Sequence, residues 1–103
     1  MATTSTKAPT THGGDVLRDY LWVVGLSCYK VSHDIGVPAS RLSAIINGDR
    51  AISAQTSVLL GHYFDLGDEY WLRIQMMYDL ARARNELKTK LKTLPTIDYS
   101  AIR

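Results

Sequence analysis

Glycines divide this chain into short helical segments. Gly25, Gly36, Gly48 and Gly67 each follow a run with apolar side chains at helical spacing. Glycine readily takes the left-handed backbone conformation that ends a helix. No segment shows the alternation of apolar and polar residues that is typical of a half-buried β-strand. The pattern therefore predicts an all-α fold built from several short helices.

The length and composition fit one domain that is stabilised by packing. The chain has 103 residues, of which 46% are hydrophobic and 21% charged, close to the average for globular domains. The single cysteine, Cys28, can neither close an intramolecular disulfide nor build a zinc site by itself. No apolar run approaches the roughly 18 residues of a membrane span, and the N-terminus lacks the apolar block of a secretory signal. We expect a cytoplasmic protein with no membrane partner.

The apolar spacing predicts five helices. They start near Gly13, at Cys28, after Pro38, after the N-cap Ser53 and near Asp68, and the last runs to about Lys92. In the fourth helix the residues expected to be buried are Val58, Leu59, Tyr63 and Phe64. The domain is expected to cover 13–94, between a flexible arm (1–12) and a short tail (95–103).

The long fifth helix carries two apolar stripes. The first is expected to pack on the core of the same chain and consists of Trp71, Ile74, Tyr78 and Ala81. The second extends beyond any core that a chain of this size can build, and consists of Leu72, Met76, Leu80, Ala83, Leu87 and Leu91. An apolar stripe without a core to cover needs a partner. We therefore expect the second stripe to be the interface of a homodimer.

The sequence does not favour catalysis. His12, His33 and His62 lie far apart and show no metal-ligand spacing. A small helical body seldom forms the pocket that acid–base catalysis needs. We expect no enzymatic activity, no cofactor and no metal site.

Residues 27–47 have the layout of a helix-turn-helix. Two short helices share an apolar edge and are joined by a connection that includes Gly36. The second helix exposes Ser40, Arg41 and Ser43, which are short or bidentate hydrogen-bonding groups that suit the major groove of DNA. Periodicity alone predicts an ordinary helical hairpin equally well.

Charge is unevenly distributed along the chain. Residues 15–69 contain four basic and seven acidic side chains, whereas residues 73–92 contain six basic and two acidic ones. DNA binding would therefore depend on the placement of a few bases. The acidic balance of residues 15–69 also supports a protein-interaction module with vestigial DNA binding.

The residues themselves carry a family resemblance. One segment of the chain, residues 26–64, resembles the five-helix domain of lambdoid repressors and the XRE family. Its sequence is LSCYKVSHDIGVPASRLSAIINGDRAISAQTSVLLGHYF. HigA antitoxins have flanks similar to HGGDVLRDYL and DEYWLRIQMMYDLARARNEL, including the family run found here as Trp71, Leu72, Gln75, Tyr78, Asp79 and Leu80. The resemblance covers about residues 12–87. The chain departs from the family in lacking a proline after His12, in having Cys28 for the commoner Gln, and in having Asp49 for Lys or Arg.

This resemblance implies a homodimeric repressor of its own operon that binds double-stranded operator DNA and neutralises a RelE-like HigB toxin. Matching positions imply base contacts from Ala39, Ser40, Arg41, Ser43 and Ala44. They imply phosphate contacts from Ser27, Cys28, Lys30, Asn47 and Arg50. A stand-alone XRE regulator without a toxin is the nearest alternative, because toxin contacts cannot be identified in the sequence.

Overall fold

A computed structural model describes residues 12–102, which form six α-helices and a short 3-10 turn. The helices are α1 (Gly13–Val24), α2 (Cys28–Ile35), α3 (Ala39–Ile46), α4 (Ala54–Phe64), α5 (Tyr70–Glu86) and α6 (Lys88–Thr93). No strand occurs in this part of the chain. The all-α helix-turn-helix prediction is therefore confirmed. The expected arm (1–12) lies outside the described residues except for His12.

The helix ends follow from local sequence. Gly25 and Gly36 end α1 and α2 in the left-handed conformation, with φ of 78° and 77°. Ser27 caps α2 by accepting a hydrogen bond from the Lys30 N–H, and Ser53 caps α4 in the same way. These two caps fix where α2 and α4 begin.

The core lies where α1 packs on α3 and α5, and where α4 packs on α5. Its central side chain is Trp71, which is fully buried and meets the rings of Tyr20 and Phe64 at centroid distances of 5.6 and 6.2 Å. Aromatic pairs of this kind add to the stabilisation from burial alone. The other buried hydrophobic residues are Leu17, Leu21, Val31, Leu42, Ile45, Ile52 and Leu60.

The prediction for α4 was half wrong. Tyr63 and Phe64 pack against the core, but Val58 and Leu59 remain 45% and 36% exposed. The residues of α4 that are buried are instead Thr56, Ser57, Leu60 and Gly61. Position 61 needs a glycine because the connection to α5 passes very close: a Cβ there would lie 2.0 Å from the carbonyl oxygen of Gly67.

The predicted continuous fifth helix was also wrong. Helix α5 ends at Glu86, and Leu87 takes φ −98° and ψ 3° before α6 begins. The Leu91 N–H still donates to the Leu87 carbonyl at 2.8 Å, so the interruption is a local bend. No residue from 84 to 102 is buried, and without tertiary packing a helical stretch has little to hold it straight.

The first turn of α1 lies directly against the end of α3. A Cβ on Gly14 would lie 1.7 Å from the carbonyl oxygen of Ile45. The His12 ring caps α1 by accepting a hydrogen bond from the Gly14 N–H at 2.8 Å, and it packs edge-on against Tyr78. This close approach sets the position of α3, the helix that carries the candidate site.

Candidate nucleic-acid interface

Helix α3 has one buried and one exposed face. Leu42 and Ile45 are buried in the core, where α3 packs on α1 and α2. The predicted base-contacting residues lie elsewhere on the helix: Ala44 is half-buried, and the exposed ones are Ala39, Ser40, Arg41 and Ser43. Short side chains on the exposed face let the helix backbone come close to another surface, and only Arg41 extends far from it.

Arg41 and Arg50 meet at one place on the surface. Both line a shallow depression, together with Pro38, Ser40 and Ala44. Among residues 12–102, neither guanidinium has a carboxylate oxygen within 4.0 Å. An arginine with a free guanidinium can bind phosphate or guanine in a bidentate manner. The fold thus brings a predicted base contact beside a predicted phosphate contact.

The phosphate-contact candidates on α2 lie apart from that depression. The Ser27 hydroxyl accepts a hydrogen bond from the Lys30 N–H at 3.0 Å. Cys28 is half-buried, and this burial raises the pKa of its thiol, so the residue offers its backbone N–H rather than a charge. The Lys30 ammonium is engaged by Asp34, with Nζ 3.1 Å from Oδ2.

Asp34 also joins α2 to α4, a link that the sequence analysis missed. The Tyr63 hydroxyl donates a hydrogen bond of 2.5 Å to Asp34 Oδ2. This bond, followed by that from Lys30, lowers the pKa of the Asp34 carboxyl, and the carboxylate in turn raises the pKa of Tyr63. The spacing of Lys30 and Asp34 on one helix was visible in the sequence, but nothing in the sequence pairs Asp34 with Tyr63.

The remaining phosphate-contact candidates flank the end of α3. Asn47 follows the helix and is exposed, with its N–H bonded to the Ser43 carbonyl at 2.9 Å. Asp49 is exposed between Asn47 and Arg50 and has no basic partner in the described part of the chain. Its carboxylate reduces the attraction of this loop for phosphate.

Comparison with known proteins decides the family. No family model matches the chain. Virulence-associated protein I of Dichelobacter nodosus is 35% identical over 79 residues, which are 76% of this chain and 73% of that protein. The structure of the Pseudomonas aeruginosa antitoxin HigA with the higBA promoter matches with a TM-score of 0.79 and 26% identity, over 86% of this chain and 99% of that one. A HigA-family addiction module antidote protein from Coxiella burnetii matches with a TM-score of 0.80 and 29% identity, over 86% and 98%. The chain belongs to the HigA-type family of XRE helix-turn-helix proteins.

Membership of the HigA-type family gives the departures at the N-terminus a structural meaning. The family pattern that the sequence resembles has a proline after the histidine, where this chain has Gly13. Here a Cβ at position 13 would lie 2.8 Å from both Gln75 Oε1 and Ile52 Cδ1. The Gln75 side chain is buried, accepts a hydrogen bond from the Ile52 N–H and donates one to Asp79. The closely packed Gln75 and Ile52 side chains therefore suit a glycine at this position.

The second apolar stripe of this HigA-type chain is uncovered. Ala83 is half-buried, and the five larger side chains are 37% to 52% exposed: Leu72, Met76, Leu80, Leu87 and Leu91. Leu87 lies at the bend and Leu91 on α6, so the stripe spans two helices rather than one. Val58 and Leu59 line a second apolar depression on α4.

Other kinds of site are not indicated. Residues 12–102 contain no group of three or more His, Cys, Asp or Glu side chains placed to hold a metal ion. None of the helices in the described part of the chain has the length and apolar content to cross a membrane.

Proposed function

We propose that this protein is a DNA-binding antitoxin that represses its own operon and neutralises a RelE-like HigB toxin. The observation that carries the proposal is the placement of Arg41 and Arg50 beside the exposed face of α3, with no carboxylate partner for either among residues 12–102. The HigA relative whose structure includes its promoter supports double-stranded DNA as the ligand.

Each predicted contact has a chemical role in this proposal. Arg41 reads guanine through O6 and N7, with Ser40 and Ser43 as shorter hydrogen-bonding groups and the alanine methyls against thymine. The phosphate contacts orient the helix and carry no sequence information. They come from the side chains of Lys30, Asn47 and Arg50 and from the start of α2 at Ser27 and Cys28.

We infer a two-fold homodimer formed through the second apolar stripe. Closed two-fold symmetry is the commonest arrangement of soluble homo-oligomers, and helix-turn-helix dimers place their recognition helices about 34 Å apart, one turn of DNA. The Ser57 hydroxyl accepts a hydrogen bond from the Leu72 N–H, which joins the middle of α4 to the first turn of α5. This bond holds α4 against the start of the stripe.

The toxin half of the proposal is supported by the family alone. A small basic RelE-like protein encoded next to this chain, co-purifying with it in a fixed ratio, is the expected result. If no such neighbour exists, the protein is a stand-alone regulator, and the DNA half of the proposal is unaffected.

Arg41→Ala tests base reading by α3. The variant is expected to lose about 1 to 3 kcal/mol of binding free energy on the promoter and to relax the preference at one base position. Affinity is measured on promoter and random DNA of equal length. Arg50→Ala is the matched control, because loss of a phosphate contact weakens both DNAs equally. Equal losses for Arg41→Ala would make it a phosphate contact too.

The dependence of affinity on salt tests the number of phosphate contacts. The count takes four basic side chains from each protomer. Arg41 and Arg50 have no carboxylate partner among residues 12–102, whereas Lys30 must leave Asp34, and Arg18 must leave Asp15 and Asp19. A dimer that neutralises about six to eight phosphates gives a slope of log K against log salt near −5 to −7. A slope smaller than about 2 in magnitude would favour the protein-interaction module with vestigial DNA binding.

A further inference from the structure

Lys30, a predicted phosphate contact, already forms an ion pair with Asp34 on the same helix. The Lys30 Nζ lies 3.1 Å from Asp34 Oδ2 and 3.4 Å from Oδ1. The same carboxylate accepts the 2.5 Å hydrogen bond from Tyr63 on α4. Within α2, His33 Nδ1 lies 3.7 Å from Asp34 Oδ1. Asp34 is thus held in place from two helices.

The carboxylate and a DNA phosphate would pull Lys30 in opposite directions. Lys30 is the third residue of α2, and Asp34 lies four residues further toward the C-terminus, about 6 Å along the axis. Anions bind at the opposite end, where the first N–H groups of a helix are free. Lys30 must leave Asp34 to reach a phosphate at the start of α2.

We propose that Asp34 is a positioning residue that competes with DNA phosphate for Lys30 and thereby lowers the affinity for DNA. This inference rests on the proposed DNA-binding function.

Tyr63 makes the competition effective. An exposed ion pair between two mobile side chains contributes little, because ordering both of them opposes the attraction. Here the hydroxyl of Tyr63 already fixes the carboxylate, so only Lys30 has to be ordered. Asp34 is ionised at neutral pH, as an ordinary aspartate is, and the same hydrogen bond is the largest cause that lowers its pKa further.

Asp34→Asn removes the charge and keeps an oxygen that can accept the Tyr63 hydrogen bond. We expect about three- to tenfold tighter binding per dimer, since two exposed ion pairs are released. The gain is expected on promoter and random DNA alike, because phosphates carry no sequence. In a Lys30→Gln background the same substitution is expected to have less than a twofold effect. Melting curves establish that all variants are folded.

Asp49→Asn is the matched control. It removes the same charge close to α3, but Asp49 has no basic partner among residues 12–102. Its effect is therefore expected to be the same with and without Lys30. If Asp34→Asn also acts equally in both backgrounds, the effect is general charge removal and the competition is overturned.

A titration of the free protein tests the ion pair without DNA. Carbon-13 signals of the Asp34 carboxyl should show its pKa rise when Lys30 is replaced by Gln, and an unchanged pKa would overturn the proposal. If wild type binds promoter DNA and Asp34→Asn changes nothing, only the competition fails. If wild type binds no DNA, the proposed function fails and the competition fails with it.

Discussion

Leu80→Asp combined with Leu87→Asp is expected to convert the proposed homodimer to a monomer and to weaken operator binding at least about a hundredfold. The second apolar stripe is exposed on the single chain, so both carboxylates remain solvated in the monomer. In a dimer they would enter an apolar interface, where an unpaired charge is strongly unfavourable. A monomer also cannot bind two half-sites at once, and bivalent binding raises the affinity about 10²- to 10⁴-fold.

Met77→Asp is the matched control for the double variant. Met77 is exposed on α5 but lies outside the stripe, so Met77→Asp should remain dimeric. Sedimentation at micromolar concentration measures the oligomeric state, circular dichroism the helix content, and titration of promoter DNA the affinity. A double variant that still sediments as a dimer would move the interface elsewhere. The exposed side chains Trp22 and Val23 on α1, or Val58 and Leu59 on α4, would then be the next surfaces to test.

Local signals predicted the helix boundaries because the stop and start residues act on their own neighbours. Gly25 and Gly36 end helices in the conformation that glycine favours, and Ser27 and Ser53 cap the helices that follow them. The inward face of α4 was not predictable in this way. It is set by the close passage of Gly67 over Gly61, and a hydrophobicity pattern assigns Val58 and Leu59 to the core instead.

The end of α5 also could not be predicted from the local sequence pattern. Apolar spacing continues through Leu87 to Leu91, and no Gly or Pro interrupts it. The bend at Leu87 arises where tertiary contacts stop, with every residue from 84 to 102 exposed. A periodic sequence specifies which face is apolar, but packing decides whether the helix stays straight.

For the candidate site, the exposed face of α3 followed from its buried face. Once Leu42 and Ile45 are assigned to the core, Ser40, Arg41 and Ser43 must lie outside. The ties that cross between helices could not be predicted. Asp34 and Tyr63 are 29 residues apart, and Gln75 reaches Ile52 over 23 residues.

Gly14→Ala is expected to lower the free energy of unfolding by about 3 kcal/mol, at the upper end of overpacking effects. The new Cβ would lie 1.7 Å from the Ile45 carbonyl oxygen. A backbone carbonyl in a helix cannot rotate away, so α1 and α3 must separate. Because α3 carries Arg41, the variant should also lose promoter affinity at temperatures where it is still folded.

Gly13→Ala is the control for Gly14→Ala. It also adds a methyl group to the first turn of α1, but without the clash with the Ile45 backbone. Its Cβ would meet only side-chain atoms, Gln75 Oε1 and Ile52 Cδ1, each at 2.8 Å. The Ile52 side chain can shift, whereas Gln75 Oε1 can move only by weakening the hydrogen bond that it accepts from the Ile52 N–H, at a cost of about 1 to 3 kcal/mol. The alanine itself favours helix by up to about 1 kcal/mol over glycine, so the net loss should be about 1 to 2 kcal/mol and smaller than that of Gly14→Ala. Urea denaturation of both variants gives the comparison. If Gly14→Ala costs no more than Gly13→Ala, then α1 can move off α3 at little cost. The close approach at Gly14 would then not be what positions α3.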